Sequence, residues 1–151
     1  MELFLHTSDG IAIAEYDDET TVADLATRVG HPDATAWVED DDAPLAPTTL
    51  VAEATHHRGH LHLGRCRGVT VTVRFGGDTI ETPRPPGTTI QSIFAWATGP
   101  HGYKLTADQR AKHEVGVCGT GVIADRNDHI GTLAADCALC LDLAPRERFQ
   151  G

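Results

Sequence analysis

The sequence predicts an α+β fold in which two small domains, with the same order of strands and helix, are joined by a short linker. Each half of the chain opens with two runs of alternating apolar and polar residues, the pattern of a β-hairpin. A helix with a capping box follows each hairpin, and the threonines that open the boxes, Thr21 and Thr88, are 67 residues apart. We therefore predict domains at residues 1–65 and 66–151, the second with a tail at 144–151.

The first half is predicted to open with a hairpin. Leu3 and Leu5 alternate with residues that face the other way, and a turn at residues 8–10 leads into a second alternating run. In that run we expect Ile11 and Ile13 to face inward together with the two leucines. The neighbouring alanines would then face outward.

The remainder of the first half supplies one helix and two more strands. The helix begins after the capping threonine and ends at Gly30 and Pro32. A short strand is predicted at residues 36–39. After a polar loop, the last strand of this half covers residues 59–63, with leucines facing inward and histidines facing outward.

The second half repeats this order. Alternating valines at residues 69–75 begin its hairpin, a helix ends at Gly99, and residues 114–118 form a middle strand. The offset between equivalent positions grows from 67 residues before the helix to 78 at the final strand. This difference predicts an insertion of 11 residues, within residues 100–112.

The final strand leads into a polar tail. Leucines recur at every second position from Leu139 to Leu143, which places them on one face of a strand that Pro145 ends. The residues after it have no apolar period. We expect this tail to be extended, with Arg146 and Arg148 pointing the same way.

The charge of the chain is strongly negative, with a formal net charge of −10. This charge argues against nucleic acids and anionic membranes as partners. Residues 1–66 hold 13 acidic and 3 basic side chains, whereas residues 67–151 hold 9 of each. The acidic run at residues 39–42 is therefore either a solvated turn or part of an acidic recognition surface. No apolar run approaches the roughly 20 residues of a membrane span, and the first residues do not resemble a secretion signal, which favours a cytoplasmic protein.

The four cysteines, Cys66, Cys118, Cys137 and Cys140, are too few and too scattered to predict a disulfide scaffold, and we expect them to be reduced. On a strand, residues three apart point to opposite faces. Cys137 and Cys140 therefore do not converge on one metal ion. We expect Cys137 to face the core and Cys140 to lie at the surface, both with structural roles.

Histidines cluster near the end of the first half, and His6 is expected on the same sheet face as His62. A transition-metal site needs three or four converging ligands. We expect solvated surface imidazoles instead of such a site, and pH-dependent partner binding is the alternative role. The residues concerned are His6, His56, His57, His60 and His62.

The order of two strands, a helix and two further strands is that of the β-grasp fold, and the sequence resembles ubiquitin-like proteins. Glu2-Leu3-Phe4-Leu5-His6 and Leu61-His62-Leu63 are similar to ubiquitin's first and last strands, and Leu139-Cys140-Leu141 occupies the last-strand position in the second half. Residues 146–151 stand where the ubiquitin tail would be. As a tandem pair that carries a glycine at 151, the chain is similar to two-domain ubiquitin-like modifiers, which include an interferon-induced vertebrate protein and its bacterial anti-phage counterparts.

The resemblance implies a protein modifier and not an enzyme. In such a pathway the carboxyl group of Gly151 is activated with ATP and joined through an isopeptide bond to lysines of a target protein. The implied partners are an activating enzyme (E1-like), a conjugating enzyme (E2-like) and a deconjugating metalloprotease; no cofactor and no metal is implied. The chain departs from the family pattern because it has one terminal glycine, not two.

Two groups of residues are the candidate sites that the resemblance implies. Tail recognition is assigned to Arg146, Arg148, Phe149 and Gln150, and covalent attachment to Gly151. A partner-binding surface on the outer faces of the two sheets is assigned to Phe4, His6, His62, Thr70, Thr72 and Cys140. The alternative function is a non-covalent adaptor, in which two β-grasp modules bind partners through their sheets.

Overall fold

The computed structural model describes residues 1–56 and 59–149. These residues form two sheets of four strands, one in each half of the chain, together with short helices. This arrangement confirms the predicted α+β fold of two β-grasp units. The domain limits at residues 1–65 and 66–151 stay a prediction.

The first half forms one sheet with two helices. In chain order its elements are β1 (Glu2–Thr7), β2 (Gly10–Glu15), α1 (Val22–Arg28), β3 (Thr35–Val38), α2 (Val51–Thr55) and β4 (His60–Gly64). The strand order is β2-β1-β4-β3, with β4 parallel to β1 and antiparallel to β3. Thr21 and Asp24 exchange side-chain to backbone hydrogen bonds of 3.1 Å, the predicted capping box. The short helix α2 was not predicted.

The second half repeats that sheet with additional helices. Its elements are β5 (Val69–Phe75), β6 (Asp78–Arg84), α3 (Ile90–Thr98), α4 (Ala107–Lys112), β7 (His113–Val117), α5 (Ile130–Leu133) and β8 (Ala138–Pro145). The order is β6-β5-β8-β7, with β8 parallel to β5. Helix α4 lies in the predicted insertion and has no counterpart in the first half. Thr89, one residue later than predicted, caps α3 by accepting a hydrogen bond from the Ser92 amide.

The orientation predicted for β2 is wrong. The hairpin pairs Leu3 with Ala14 and places Ile13 opposite Phe4, on the outer face. Ile11 and Ile13 are therefore 51% and 64% exposed, whereas Ala14 is buried in the core. Alternation fixes the period of a strand but not its phase, because the phase depends on the register that the turn imposes.

Each sheet buries its own hydrophobic core. Leu3, Leu5, Leu61 and Leu63 of the first sheet pack with Leu25 and other residues of α1. The second core is larger and gathers the strand valines, the apolar face of α3 and the three leucines of β8; its largest fully buried members are Ile90, Ile93, Ile130 and Leu141. Every helix in residues 1–56 and 59–149 is too short or too polar to cross a bilayer.

The cysteines form two disulfides, Cys66–Cys137 and Cys118–Cys140, which overturns the expectation that they are reduced. The prediction that Cys137 faces the core is also wrong, because this residue is exposed in the turn before β8. Cys140 is half-buried on the outer face of the second sheet. The first disulfide joins the segment between the two sheets to the turn before β8. The second joins β8 to the residue that follows β7.

Candidate functional site: the last strand and the interface between the halves

Strand β8 is the central element of the second half. It pairs with β5 on one side and with β7 on the other, and Leu139, Leu141 and Leu143 are at most 4% exposed. Because both neighbours and the core hold this strand, the residues that follow it leave the sheet from a rigid base. Pro145 is the last strand residue, as predicted.

The segment after β8 is folded and not extended, which corrects the predicted tail conformation. Arg146–Arg148 forms one 3₁₀ turn, and the Phe149 amide donates a 3.1 Å hydrogen bond to the Arg146 carbonyl. The Arg146 guanidinium donates to the Ala111 carbonyl at 3.2 Å and to a Glu114 carboxylate oxygen at 3.3 Å. Arg148 is exposed.

Phe149 lies against the outer face of β7. Its ring is close to Gly116, where an added Cβ would stand 2.8 Å from the Phe149 Cε1 atom. The absence of a side chain at Gly116 therefore makes room for the ring. The last two site residues of the tail, Gln150 and Gly151, lie outside the described residues. Whether the tail residues are recognised by an enzyme stays a prediction.

The outer face of the second sheet is polar and partly open. Thr70 is exposed, and Thr72 is half-buried opposite Cys140 in the β5–β8 pair. Arg74 and Asp142 form a bidentate ion pair on this face, with oxygen–nitrogen distances of 2.7 and 3.0 Å. The structure thus brings Thr70, Thr72 and Cys140 together, and their role in partner binding stays a prediction.

The corresponding face of the first sheet is covered by the second half. Trp37 on β3 is 3% exposed and packs against Gly87, where a Cβ would meet the Trp37 Cβ at 3.2 Å. His62 on β4 packs against Gly131 of α5, where a Cβ would stand 2.5 Å from the His62 Nε2 atom. Two glycines of the second half therefore allow its backbone to approach the first sheet closely.

Asp40 provides a polar link between the halves. Its carboxylate accepts hydrogen bonds from the Thr89 amide at 2.8 Å and from the Ser92 hydroxyl at 2.9 Å, both at the start of α3. Its own amide donates to the Gly87 carbonyl at 3.1 Å. A carboxylate at a helix N-terminus is stabilised by the free amides and the helix dipole. Part of the acidic run thus holds the two halves together, and the rest of it, Asp41 and Asp42, is exposed.

Four imidazoles and one carboxylate meet at the same interface. The His6 Nε2 and His60 Nδ1 atoms are 3.0 Å apart, and the Nδ1 atoms of His62 and His129 are 3.1 Å apart. The His129 Nε2 atom lies 2.8 Å from a Glu39 carboxylate oxygen, and the His6 and His129 rings stack with centroids 3.5 Å apart. We call these five side chains the imidazole cluster.

Burial keeps most of the cluster uncharged. Burial, and then the neighbouring imidazoles His129 and His60, lowers the pKa of His6 from 6.5 to about 4. Burial, with His129 and His6, lowers the pKa of His62 to about 3. Burial lowers the pKa of His129 to about 4, against a raising contribution from Asp40. These three side chains are at most 1% exposed and are neutral at pH 7.

The expectation of solvated imidazoles is therefore wrong for His6 and His62. The two residues do lie on one sheet face, as predicted, since they pair in the β1–β4 register. The second half buries this face, which removes both from the surface open to other partners. Phe4 remains 45% exposed beside Ile11 and Ile13. His56 is exposed at the end of α2, and His57 lies outside the described residues.

Sequence reasoning missed His129, and it assigned Asp40 to a solvated turn or an acidic recognition surface and not to a contact between the halves. Both act across the interface, 67 and 49 residues from His62 and Thr89 respectively. No local pattern marks such a contact. One signal was available. Alternation sets His6, His60 and His62 on a single face of a small sheet, and a second domain joined by a short linker could cover that face.

A comparison with known protein families gave a match. The family model described as BilA ubiquitin-like domain 2 matches residues 70–146, which include all of the second sheet except Val69, its helices and the first residue of the turn after β8. A search of curated proteins found no match.

Proposed function

Because the chain belongs to the BilA ubiquitin-like domain 2 family, we propose that it is a ubiquitin-like modifier that is attached to other proteins through the carboxyl group of Gly151. The observation that carries this proposal is the position of β8, which lies in the centre of the matched sheet and leads directly into the exposed residues Arg146–Arg148. A firmly held strand followed by an exposed segment is what an enzyme needs to capture a chain end.

The proposed chemistry needs no catalytic residue in this chain. An activating enzyme adenylates the carboxylate with ATP and releases pyrophosphate, and a cysteine thiolate of that enzyme then displaces AMP to form a thioester. The acyl group passes to a conjugating enzyme and finally to a lysine amine of the target protein, with release of the thiol. Glycine suits the acyl donor because it lacks a Cβ and leaves room for nucleotide and protein backbone.

Recognition of the tail is assigned to Arg146, Arg148 and Phe149, followed by Gln150. The 3₁₀ turn would have to open for residues 146–151 to enter a narrow channel as an extended chain. The Arg146 contacts oppose this opening only weakly, because its side chain is 60% exposed and its two hydrogen bonds, 3.2 and 3.3 Å long, lie at the surface. The opening must also move the Phe149 ring away from Gly116 on β7.

The biological setting proposed for the chain is anti-phage defence, which follows from the family alone. A metalloprotease that trims the tail or removes the modifier completes the expected set of partners. The cytoplasm is the proposed location, because activation consumes ATP. The two disulfides weigh against that location, since cytosolic thiols are usually kept reduced.

Incubation with the cognate activating enzyme and ATP tests the proposal. We expect an adduct on a non-reducing gel that DTT removes, and we expect no adduct when Gly151 is deleted. The Thr79→Ala variant, altered at an exposed position of the edge strand β6, serves as a control that should react like the native chain. An unreactive native chain would favour the adaptor function, and an adduct that survives the deletion would show that the reaction does not require Gly151.

A further inference from the structure

Three potential metal ligands of the imidazole cluster converge on the outer face of the first sheet. His6 lies on β1 and His60 on β4, which are neighbouring parallel strands, and Glu39 follows directly after β3 on the other side of β4. One nitrogen or oxygen atom of each residue lies within 4.8 Å of the corresponding atoms of the other two. The ligands thus come from two strands and from the residue after a third, and the sheet fixes the positions of all three strands.

The spacing of these atoms fits a small divalent cation. In tetrahedral zinc sites, ligand atoms about 2.1 Å from the metal lie about 3.4 Å from one another. The His6 Nε2 and His60 Nδ1 atoms are 3.0 Å apart, and the His60 Nδ1 atom is 3.6 Å from a Glu39 carboxylate oxygen. Both distances lie within a few tenths of an ångström of that spacing, and the His6 and Glu39 ligand atoms are no more than 4.8 Å apart.

The surrounding contacts hold the ligands in place. Because the Glu39 carboxylate can only accept, the His129 Nε2 atom must donate the 2.8 Å hydrogen bond to it. The His129 Nδ1 atom then accepts from His62, which fixes the tautomer of both rings. An imidazole that donates to a coordinating carboxylate orients that ligand.

Aromatic rings pack against both imidazole ligands. The His6 ring stacks on His129 with centroids 3.5 Å apart, and the Phe4 ring stacks on His60 at 5.0 Å. The His60 and Glu39 side chains are 33% and 27% exposed, whereas His6 is buried. The site is thus closed on the side of the second half and open to solvent at His60 and Glu39, which gives an ion a path of entry.

We propose that His6, Glu39 and His60 bind one divalent transition-metal ion of the zinc class. Two imidazoles and one carboxylate are ligands that Zn²⁺ accepts, with a fourth position left for water. Because His129 of the second half donates to the coordinating Glu39, the ion also stabilises the contact between the two halves. The site does not depend on the tail or on conjugation.

Titration of the disulfide-intact full chain with ZnCl₂ at pH 7.5 tests this site. Calorimetry should show one Zn²⁺ per chain, and the melting temperature should rise with added Zn²⁺ and return when EDTA is added. His60→Asn and Glu39→Gln should each weaken binding at least tenfold. His101→Asn, altered at an exposed histidine in the turn after α3, should leave the affinity unchanged. Absence of stoichiometric binding, or equal affinity in the His60 and His101 variants, would overturn the proposal.

A second measurement needs no variant. X-ray absorption of the Zn²⁺-loaded native chain should show a coordination shell of nitrogen and oxygen only, with the scattering pattern of two imidazoles. A sulfur shell would place the metal at the cysteines and contradict the assignment. A shell with a single imidazole or none would contradict it as well.

Discussion

His62 of the first sheet and His129 of the second half face each other through their Nδ1 atoms at 3.1 Å, and both rings are buried. One Nδ1 atom must carry a proton and the other must not, because two protonated nitrogens would repel and two bare ones could not bond. Because the His129 Nε2 atom donates to Glu39, its Nδ1 atom is the one without a proton, and the contact is satisfied only while His129 is neutral. The interface between the halves thus depends on an uncharged His129, and burial likewise favours the neutral forms of His6 and His62.

This dependence predicts that acid destabilises the protein at pH values where most carboxylates are still ionised. The pKa values of His6, His62 and His129 are about 4, 3 and 4 in the folded state and 6.5 when unfolded. Between those values the unfolded chain binds more protons. Stability is therefore complete above pH 6.5 and falls as the pH is lowered towards 4. His62 alone should cost roughly 3 kcal/mol at pH 4 relative to pH 8.

Chemical denaturation in EDTA at pH 8, 6, 5 and 4 measures this effect. The His101→Asn variant should show the same loss as the native chain, because His101 is exposed in both the folded and the unfolded state. Equal free energies of unfolding at pH 6.5 and pH 4.5 would show that the buried imidazoles do not resist protonation.

Gly131→Ala should destabilise the interface. The new Cβ would lie 2.5 Å from the His62 Nε2 atom and 2.7 Å from the Pro86 Cβ atom. The His62 ring cannot swing away without breaking its bond to His129, and Pro86 is rigid. We expect a loss of about 1 to 3 kcal/mol in the free energy of unfolding, the usual cost of overpacking. In the matched control Gly68→Ala, the nearest atom is the Arg84 carbonyl oxygen at 4.0 Å, and urea unfolding should detect little change. Equal stability of both variants would mean that the halves do not pack this closely.

The Cys66–Cys137 disulfide should contribute more stability than Cys118–Cys140. The first bond joins residues 71 positions apart and the second joins residues 22 apart. Chain-entropy arguments give about 4 kcal/mol for the longer loop and about 3 kcal/mol for the shorter one. Replacing each pair by serines and measuring urea unfolding without reductant tests the order. A larger loss for the Cys118–Cys140 pair would contradict it, and titration of the native chain should find no free thiol.

Much of the fold could be predicted from local patterns. Apolar alternation located the leucines of β1, β4 and β8, and the offset between the halves located the inserted α4. Such patterns succeed because each strand covers a core of its own half. They failed for β2, where Ile11 and Ile13 are more apolar than Ala12 and Ala14 and yet face outward. The pairing of β1 with β2 decides which face of β2 is buried. The sequence of β2 alone does not show this pairing.

The candidate site was less predictable for the same physical reason. His6 and His62 have the spacing of exposed strand residues, and the second half buries both: the His129 ring stacks on His6, and Gly87 and Gly131 approach His62. The two disulfides likewise join residues from separate elements. A contact between distant segments does not change the apolar period of either segment. The sequence therefore predicted which residues share a sheet face but not which residues cover that face.

Arg126 and Arg146 both contact Glu114. Substitution of Arg126 should lower stability, whereas substitution of Arg146 should leave stability unchanged and slow the reaction of the tail. Arg126 donates to Glu114 at 2.9 Å and to the Gln91 side chain at 2.9 Å, and its guanidinium lies 3.6 Å from the centre of the Phe94 ring. Arg126→Ala should cost about 2 kcal/mol or more, because it leaves the half-buried Glu114 with a weaker partner.

Arg146 makes only surface contacts with its 60% exposed side chain, and Arg146→Ala should change the free energy of unfolding by less than about 0.5 kcal/mol. Because the stability of Arg146→Ala should be unchanged, this variant tests recognition of the tail separately from folding. If an activating enzyme meets the tail with acidic residues, the variant should form the thioester at least several-fold more slowly while its melting temperature is unchanged. Unaltered thioester kinetics would remove Arg146 from the recognised residues, and a large loss of stability would show that the turn after β8 is part of the folded core.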